Sequence, residues 1–135
     1  MNTEFKYNQY PPNIDKIREV LDVSKPGVIF TYGNEIYIPS GIPLPDHLEV
    51  HEGVHVKQQY LMGKDTWWEQ YLHDEQFRLS QELEAYREQM RFIKQRYSRD
   101  YRRMMLNQLA KDLSSGIYGR VIDKHRAKQL ILEGL

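Results

Sequence analysis

The sequence predicts an α+β fold, mostly helical, in a single domain. Two short runs rich in β-branched and aromatic residues, Val28-Ile29-Phe30-Thr31-Tyr32 and Glu35-Ile36-Tyr37-Ile38, flank Gly33-Asn34, the pattern of a β-hairpin closed by a two-residue turn. From Asp46 onward the chain reads as successive helical periods, separated by Gly, Ser and Asp residues that stop or start helices. At 135 residues it fits one domain with one core, without repeats, low-complexity tracts or a dividing linker.

Residues 1–12 are polar and aromatic without a period, and Pro11-Pro12 ends them, so they read as a flexible arm. Residues 13–135 form the domain. Asn13 is placed to cap a short helix with Ile14, Ile17, Val20 and Leu21 on one face, and Lys25-Pro26-Gly27 breaks it before the hairpin. Pro39 to Pro45 is a rigid loop. Asp46 with Glu49 makes an Asp variant of the capping box, starting a helix that runs to about Met62 and stops at Gly63. Thr66 and Glu69 offer another capping pair for helix from Trp67 to about Tyr97, broken near His73-Asp74. Ser98 or Asp100 starts a helix carrying Tyr101, Met104, Met105 and Leu109. Ser114 to Gly119 is a turn, and Asp123 to about Leu132 is a last short helix. Residues 98–135 are thus a helical C-terminal extension.

Composition excludes several function classes. There are 19 basic and 19 acidic side chains, so the chain is not a uniformly basic nucleic-acid binder. Mean hydropathy is −0.74, and no stretch approaches the ~18 continuous apolar residues of a membrane span, so no membrane partner is expected. With no cysteine, any metal site must use His, Asp and Glu. Met1 to Lys6 lacks a charged segment followed by an apolar run, which leads to the expectation of a cytosolic protein. Charge is unevenly distributed: residues 1–86 carry 7 basic and 14 acidic side chains, residues 87–135 carry 12 and 5, and the two parts are expected to complement each other within the fold.

The motif that carries chemistry is His51-Glu52-Gly53-Val54-His55, an H-E-x-x-H on the predicted helix. Residues four apart lie about 40° apart around a helix axis, so both imidazoles project from one face and can take two corners of a zinc tetrahedron. Glu52, beside the first ligand, can reach water at the metal without ligating it. Position 58 is Gln58 and position 61 is Leu61, so the third ligand does not follow at the short spacing of H-E-x-x-H-x-x-G-x-x-H. A carboxylate on the next helix is the alternative, and Glu82 and Glu84 are the candidates. Two residues apart is about 200° of rotation, so only one of them can face the metal. Glu84 has polar neighbours on its face. Glu82 shares its face with Ala85, Tyr86 and Gln89 beside the apolar stripe Leu79, Leu83, Met90 and Ile93, which favours Glu82.

His51-Glu52-x-x-His55 followed by Glu82-x-x-Ala85 resembles the gluzincin pattern, in which a glutamate on the next helix is the third zinc ligand. The order of elements over residues 13–97 is similar to the minimal gluzincins and to small H-E-x-x-H proteins of tailed phages and prophages. The resemblance implies a minimal zincin-like domain, with the hairpin before the H-E-x-x-H helix and the glutamate helix after it. It implies Zn2+ held by His51, His55 and Glu82, and peptide-bond hydrolysis with Glu52 as general base. It implies a peptide or protein substrate added along a strand edge, Glu35–Ile38 being the candidate. It implies a Tyr or His that stabilises the transition state, with Tyr86, Tyr118, His73 and His125 as candidates. Tyr86 stands where the family usually has Asp or Asn steadying a ligand. If phage-encoded, the protein belongs to the host cytoplasm or the virion.

Further expectations attach to single residues. Gln59, one turn past His55, is placed to orient it. His47 shares the face of His51 and reads as an exposed first-turn residue or as a residue that supports His51 from behind. Gly53, costly inside a helix, points to close approach of another backbone or of substrate, or to mere tolerance. Trp67, Trp68, Tyr71 and Leu72 read as core. Segment 87–103 holds Arg87, Arg91, Lys94, Arg96, Arg99, Arg102 and Arg103 with Tyr97 and Tyr101 interleaved. It reads as a solvated helical face or as a contact for nucleic acid, and the latter can accompany a second reading of the chain, a structural or interaction protein of a phage that keeps the scaffold without turnover.

Overall fold

The computed structural model describes residues 2–135. It is α+β and mostly helical: strands β1 (Glu4–Tyr7), β2 (Phe30–Tyr32) and β3 (Glu35–Ile38), with helices α1 (Ile14–Val20), α2 (Asp46–Met62), α3 (Lys64–His73), α4 (Glu75–Arg96), α5 (Arg99–Leu113) and α6 (Lys124–Glu133). A 3-10 turn spans Gly116–Tyr118. Among the described residues no helix is long and apolar enough to cross a membrane.

The hairpin forms as expected, with Tyr32 opposite Glu35 across Gly33-Asn34 and Gly33 at φ 65°, a value that favours glycine. The sheet order is β1-β3-β2. The segment expected as a flexible arm therefore contains a strand: β1 runs parallel to β3 with Phe5 opposite Ile36, and Lys6 Nζ lies 3.5 Å from Glu35. Its side chains are mostly exposed, so no hydrophobic alternation marks it. Backbone pairing holds it, including Glu4 N donating to Asn34 O and Asn8 N to Ile38 O. This pairing makes β3 the central strand, so the substrate edge expected on Glu35–Ile38 does not exist there. The strand edge beside the helices is β2.

Helix boundaries follow the side-chain caps in the second half of the chain. Asp74 accepts from Gln76 N and Phe77 N and starts α4, Ser98 accepts from Tyr101 N and starts α5, and Asp123 accepts from Arg126 N and starts α6. Three expected caps are not made. The α2 ladder begins at the Pro45 carbonyl, which accepts from Leu48 N and Glu49 N, while the Asp46 carboxylate accepts from the adjacent His47 N at 2.7 Å and from the Tyr97 hydroxyl at 2.6 Å. Helix α3 begins at Lys64 rather than after Thr66. Asn13 makes no side-chain cap, and its Oδ1 is buried without a partner.

Ile17, Leu21, Phe30, Tyr37, Trp67, Trp68, Tyr71 and Leu72 pack α1, the sheet and α3 into one cluster. Tyr86, Met90, Ile93, Leu109, Ala110, Leu113, Ala127 and Ile131 pack α4, α5 and α6 into another. Helix α2 runs between them against α4, and its buried residues are His47, His51, Glu52, His55, Val56, Gln58 and Gln59. A helix that buries six polar side chains and one valine gains little from hydrophobic burial. Each buried polar group must find a partner to offset its desolvation.

The uneven charge is not cancelled by ion pairs. Among the described residues no salt bridge joins residues 1–86 to residues 87–135. Instead Arg87 bonds the Leu130 carbonyl and Arg91 the Gly134 carbonyl, closing the C-terminal end of α6. Two of the seven basic side chains of segment 87–103 are thereby committed to the fold.

Candidate metal centre

Residues 47, 51, 55 and 59 recur every four positions on α2, and the structure turns all four inward. Across from them α4 presents Glu82 and, two turns later, Gln89, both buried. Glu82 Oε1 lies 3.2 Å from His51 Nε2 and 3.2 Å from His55 Nε2. The two rings meet edge to face with centroids 5.0 Å apart. Glu52 Oε2 is 3.8 Å from His51 Nε2, and His51, Glu52 and His55 offer ligand atoms within 4.8 Å of one another. Glu84 is exposed, outside the cluster, and accepts a bond from Gln58 Nε2.

Each group in the cluster is held from behind. Tyr71, on α3, donates to Glu82 Oε2 at 2.5 Å. Gln89 Oε1 lies 2.9 Å from His51 Nδ1, and Gln58 Oε1 lies 2.8 Å from His55 Nδ1. An acceptor at Nδ1 holds a ring proton there, so that Nε2, which faces the Glu82 carboxylate, is the nitrogen that would give up its proton and ligate when an ion binds. Thr31 Oγ1 on β2 donates to Glu52 Oε1 at 3.2 Å. Arg78, buried without a carboxylate partner, donates to the carbonyls of Tyr71, Leu72 and Tyr118, and so ties the end of α3 and the 3-10 turn to α4.

Burial pushes the Glu52 carboxyl up, against the pull of His51 and His55. Burial opposes charge on His55, but the adjoining Glu82 carboxylate overrides it and holds the ring up to about 9. Burial likewise works to raise Glu82, and the two imidazoles outweigh it, holding the carboxyl well below its ordinary range. The charges of Glu52, His55 and Glu82 are therefore set by their neighbours in the cluster and not by each side chain alone.

The expected positions of several side chains need correction. Gln59 does not touch His55: its Nε2 donates to Thr31 O and its Oε1 accepts from Gly33 N, so it pins the hairpin to α2. Gln58, at i+3, takes the role assigned to Gln59, because both spacings bring a side chain alongside His55 and the hairpin lies on the Gln59 side. His47 is buried, not exposed. His125 is exposed on α6, turned away from the buried Ala127 and Ile131, and His73 is exposed beside Glu69, so neither reaches the cluster. Tyr86 and Tyr118 are brought together, hydroxyl to hydroxyl at 2.8 Å, with the Tyr86 ring 4.5 Å from that of His51. A Cβ added at Gly53 meets nothing, so no backbone approaches closely there. Trp67 and Trp68 are core residues whose indole N–H groups bond Gln81 and Thr31.

A cleft of about 380 Å³ opens onto His51, Glu52, His55 and Glu82, walled by Phe30 and Tyr118. Two imidazole nitrogens and one carboxylate oxygen converge there, a donor set of the kind that holds a divalent ion such as zinc. Compared with protein-family models, curated proteins and solved structures, the chain matches none.

Proposed function

We propose that the chain is a gluzincin-like zinc peptidase that hydrolyses a peptide bond in its cleft, with Glu52 as general base. The observation that carries the reading is the placement of Glu82 Oε1 at 3.2 Å from both Nε2 atoms, with Glu52 beside them in the same cleft. His51, His55 and Glu82 are the residues that would hold the ion. When bound, zinc supplies Lewis acidity to the scissile carbonyl and acidifies water at the site. Glu52 takes the proton from the attacking water and returns it to the departing amine. Burial raises its proton affinity toward the range in which a carboxylate serves both roles. Tyr86 and Tyr118 offer hydroxyl donors on the cleft wall for the developing oxyanion. The reading places the reaction in the cytosol, of a host cell if the protein is phage-encoded.

The test is a Glu52→Gln variant assayed with zinc content and with cleavage of an unstructured protein. It is expected to keep its zinc and lose cleavage by about 100-fold or more. Parental cleavage by the zinc-loaded variant would remove the base assignment.

One observation favours a second reading, a binding protein that keeps the site without turnover. The edge strand β2 has its Thr31 carbonyl occupied by Gln59 Nε2 and Trp68 Nε1, so an incoming peptide strand finds that acceptor already taken. A zinc-loaded protein that cleaves nothing across a broad peptide library supports this second reading.

A further inference from the structure

Beyond the cluster, a chain of buried polar contacts continues from His51 to the surface. Gln89 Oε1 faces His51 Nδ1, Gln89 Nε2 lies 2.8 Å from His47 Nδ1, and His47 Nε2 lies 3.3 Å from the Tyr101 hydroxyl. His47, His51 and Gln89 are 6%, 3% and 2% exposed, so water does not complete their hydrogen bonds for them. A glutamine amide has a donor end and an acceptor end, and between two imidazoles it can stand in two polarities. In one, Oε1 accepts from His51 Nδ1–H, and His51 Nε2 carries a free lone pair. In the other, the NH2 group donates to His51 Nδ1, the ring proton moves to Nε2, and the lone pair that would meet a metal is lost. Gln89 alone does not choose, because either end fits His51. The choice falls to the group at its other end.

We propose that His47 is a positioning residue for the metal centre: by accepting from Gln89 Nε2 it fixes the amide polarity that leaves His51 Nε2 free to ligate. The inference rests on the metal-site reading above. In that polarity His47 accepts at Nδ1 and carries its own proton at Nε2, 3.3 Å from the Tyr101 hydroxyl oxygen. The Tyr97 and Tyr101 rings pack edge-on against it at 6.2 and 6.4 Å. Burial holds the His47 ring below its ordinary pKa, against the pull of Asp46. The acceptor at His51 Nδ1 comes from Gln89, and an amide needs an outside partner to set its direction where a carboxylate does not.

The test combines two readouts. Long-range 1H–15N correlation spectra of the metal-free protein, and of the protein after zinc addition, report which nitrogen of His47 carries the proton. Zinc competition against a chromophoric chelator reports affinity for the parent, His47→Leu and His47→Asn, with circular dichroism confirming that each is folded. His47 is expected to show a bare Nδ1 and a protonated Nε2 in both states. His47→Leu, which fills the space without accepting, is expected to weaken zinc binding about tenfold or more. His47→Asn, whose Oδ1 replaces Nδ1 as acceptor, is expected to restore most of that loss. A proton on His47 Nδ1, or parental affinity in folded His47→Leu, or no recovery in His47→Asn, overturns the proposal. A parent that binds no zinc overturns the metal-site reading instead, and the spectrum of the metal-free protein still decides the polarity of the relay.

Discussion

Tyr71→Phe removes one hydroxyl and leaves the ring. The ring stacks on Trp67 at 4.7 Å and meets Trp68 at 5.2 Å, and both contacts survive the change, so no cavity forms. What is lost is the 2.5 Å bond to Glu82 Oε2, made between two side chains that are each 4% exposed. A hydrogen bond to an ionised group contributes about 1.5–3 kcal/mol, and here water cannot replace the donor. If that energy holds Glu82 in its ligating position, zinc affinity falls by about 10- to 100-fold, since 1.4 kcal/mol corresponds to about tenfold. Zinc competition titration measures the affinity, and urea denaturation of the metal-free protein measures the stability lost with the bond. A folded Tyr71→Phe with parental zinc affinity and parental stability would refute the claim that Tyr71 positions Glu82.

Other perturbations read other parts of the account. Gly53→Ala is expected to stabilise the protein by up to about 1 kcal/mol in urea denaturation without changing zinc affinity, because the added methyl enters open space on a helix; destabilisation would show a contact that the structure lacks. Arg78→Met is expected to cost about 3 kcal/mol or more, because it strips donors from the carbonyls of Tyr71, Leu72 and Tyr118; a loss below about 1 kcal/mol would deny that Arg78 ties α3 and the 3-10 turn to α4. Tyr97→Phe tests a pH effect. The Tyr97 hydroxyl holds the Asp46 carboxyl below its ordinary value in the folded state, so that bond stabilises the protein above the usual carboxylate pKa and is lost as pH falls through the lowered one. Stability of the variant measured from pH 6 to pH 2 is expected to fall less steeply than that of the parent; parallel curves would show that the bond does not persist in solution.

The hairpin and the second-half helix starts were legible because each is written locally: Gly33-Asn34 between β-rich runs, and Asp74, Ser98 and Asp123 as caps. The burial of Glu82 and the exposure of Glu84 were legible as well, because helical period alone separates a buried from a solvated face. Strand β1 was not legible, since its stability lies in backbone pairing to a segment about thirty residues away and its side chains stay exposed. The partners of the cluster were harder still. Tyr71 sits in an aromatic run whose core role hides its hydroxyl, and Gln58 and Gln59 differ by one position on the same helix. Gln89 carried the one usable signal, a polar residue sharing the face of Glu82. His47 carried another, a histidine one turn before His51 on the inward side.

The central claim is that His51, His55 and Glu82 form one metal site. Zinc content by elemental analysis, on protein purified without chelator or histidine tag, tests it most directly when the parent is compared with His51→Ala, Glu82→Ala and Glu84→Ala. The account predicts about one zinc per chain in the parent and in Glu84→Ala, and loss of the ion in His51→Ala and Glu82→Ala. A parent that takes up no zinc even with excess metal, or a Glu82→Ala that retains it as firmly as the parent, would contradict the account.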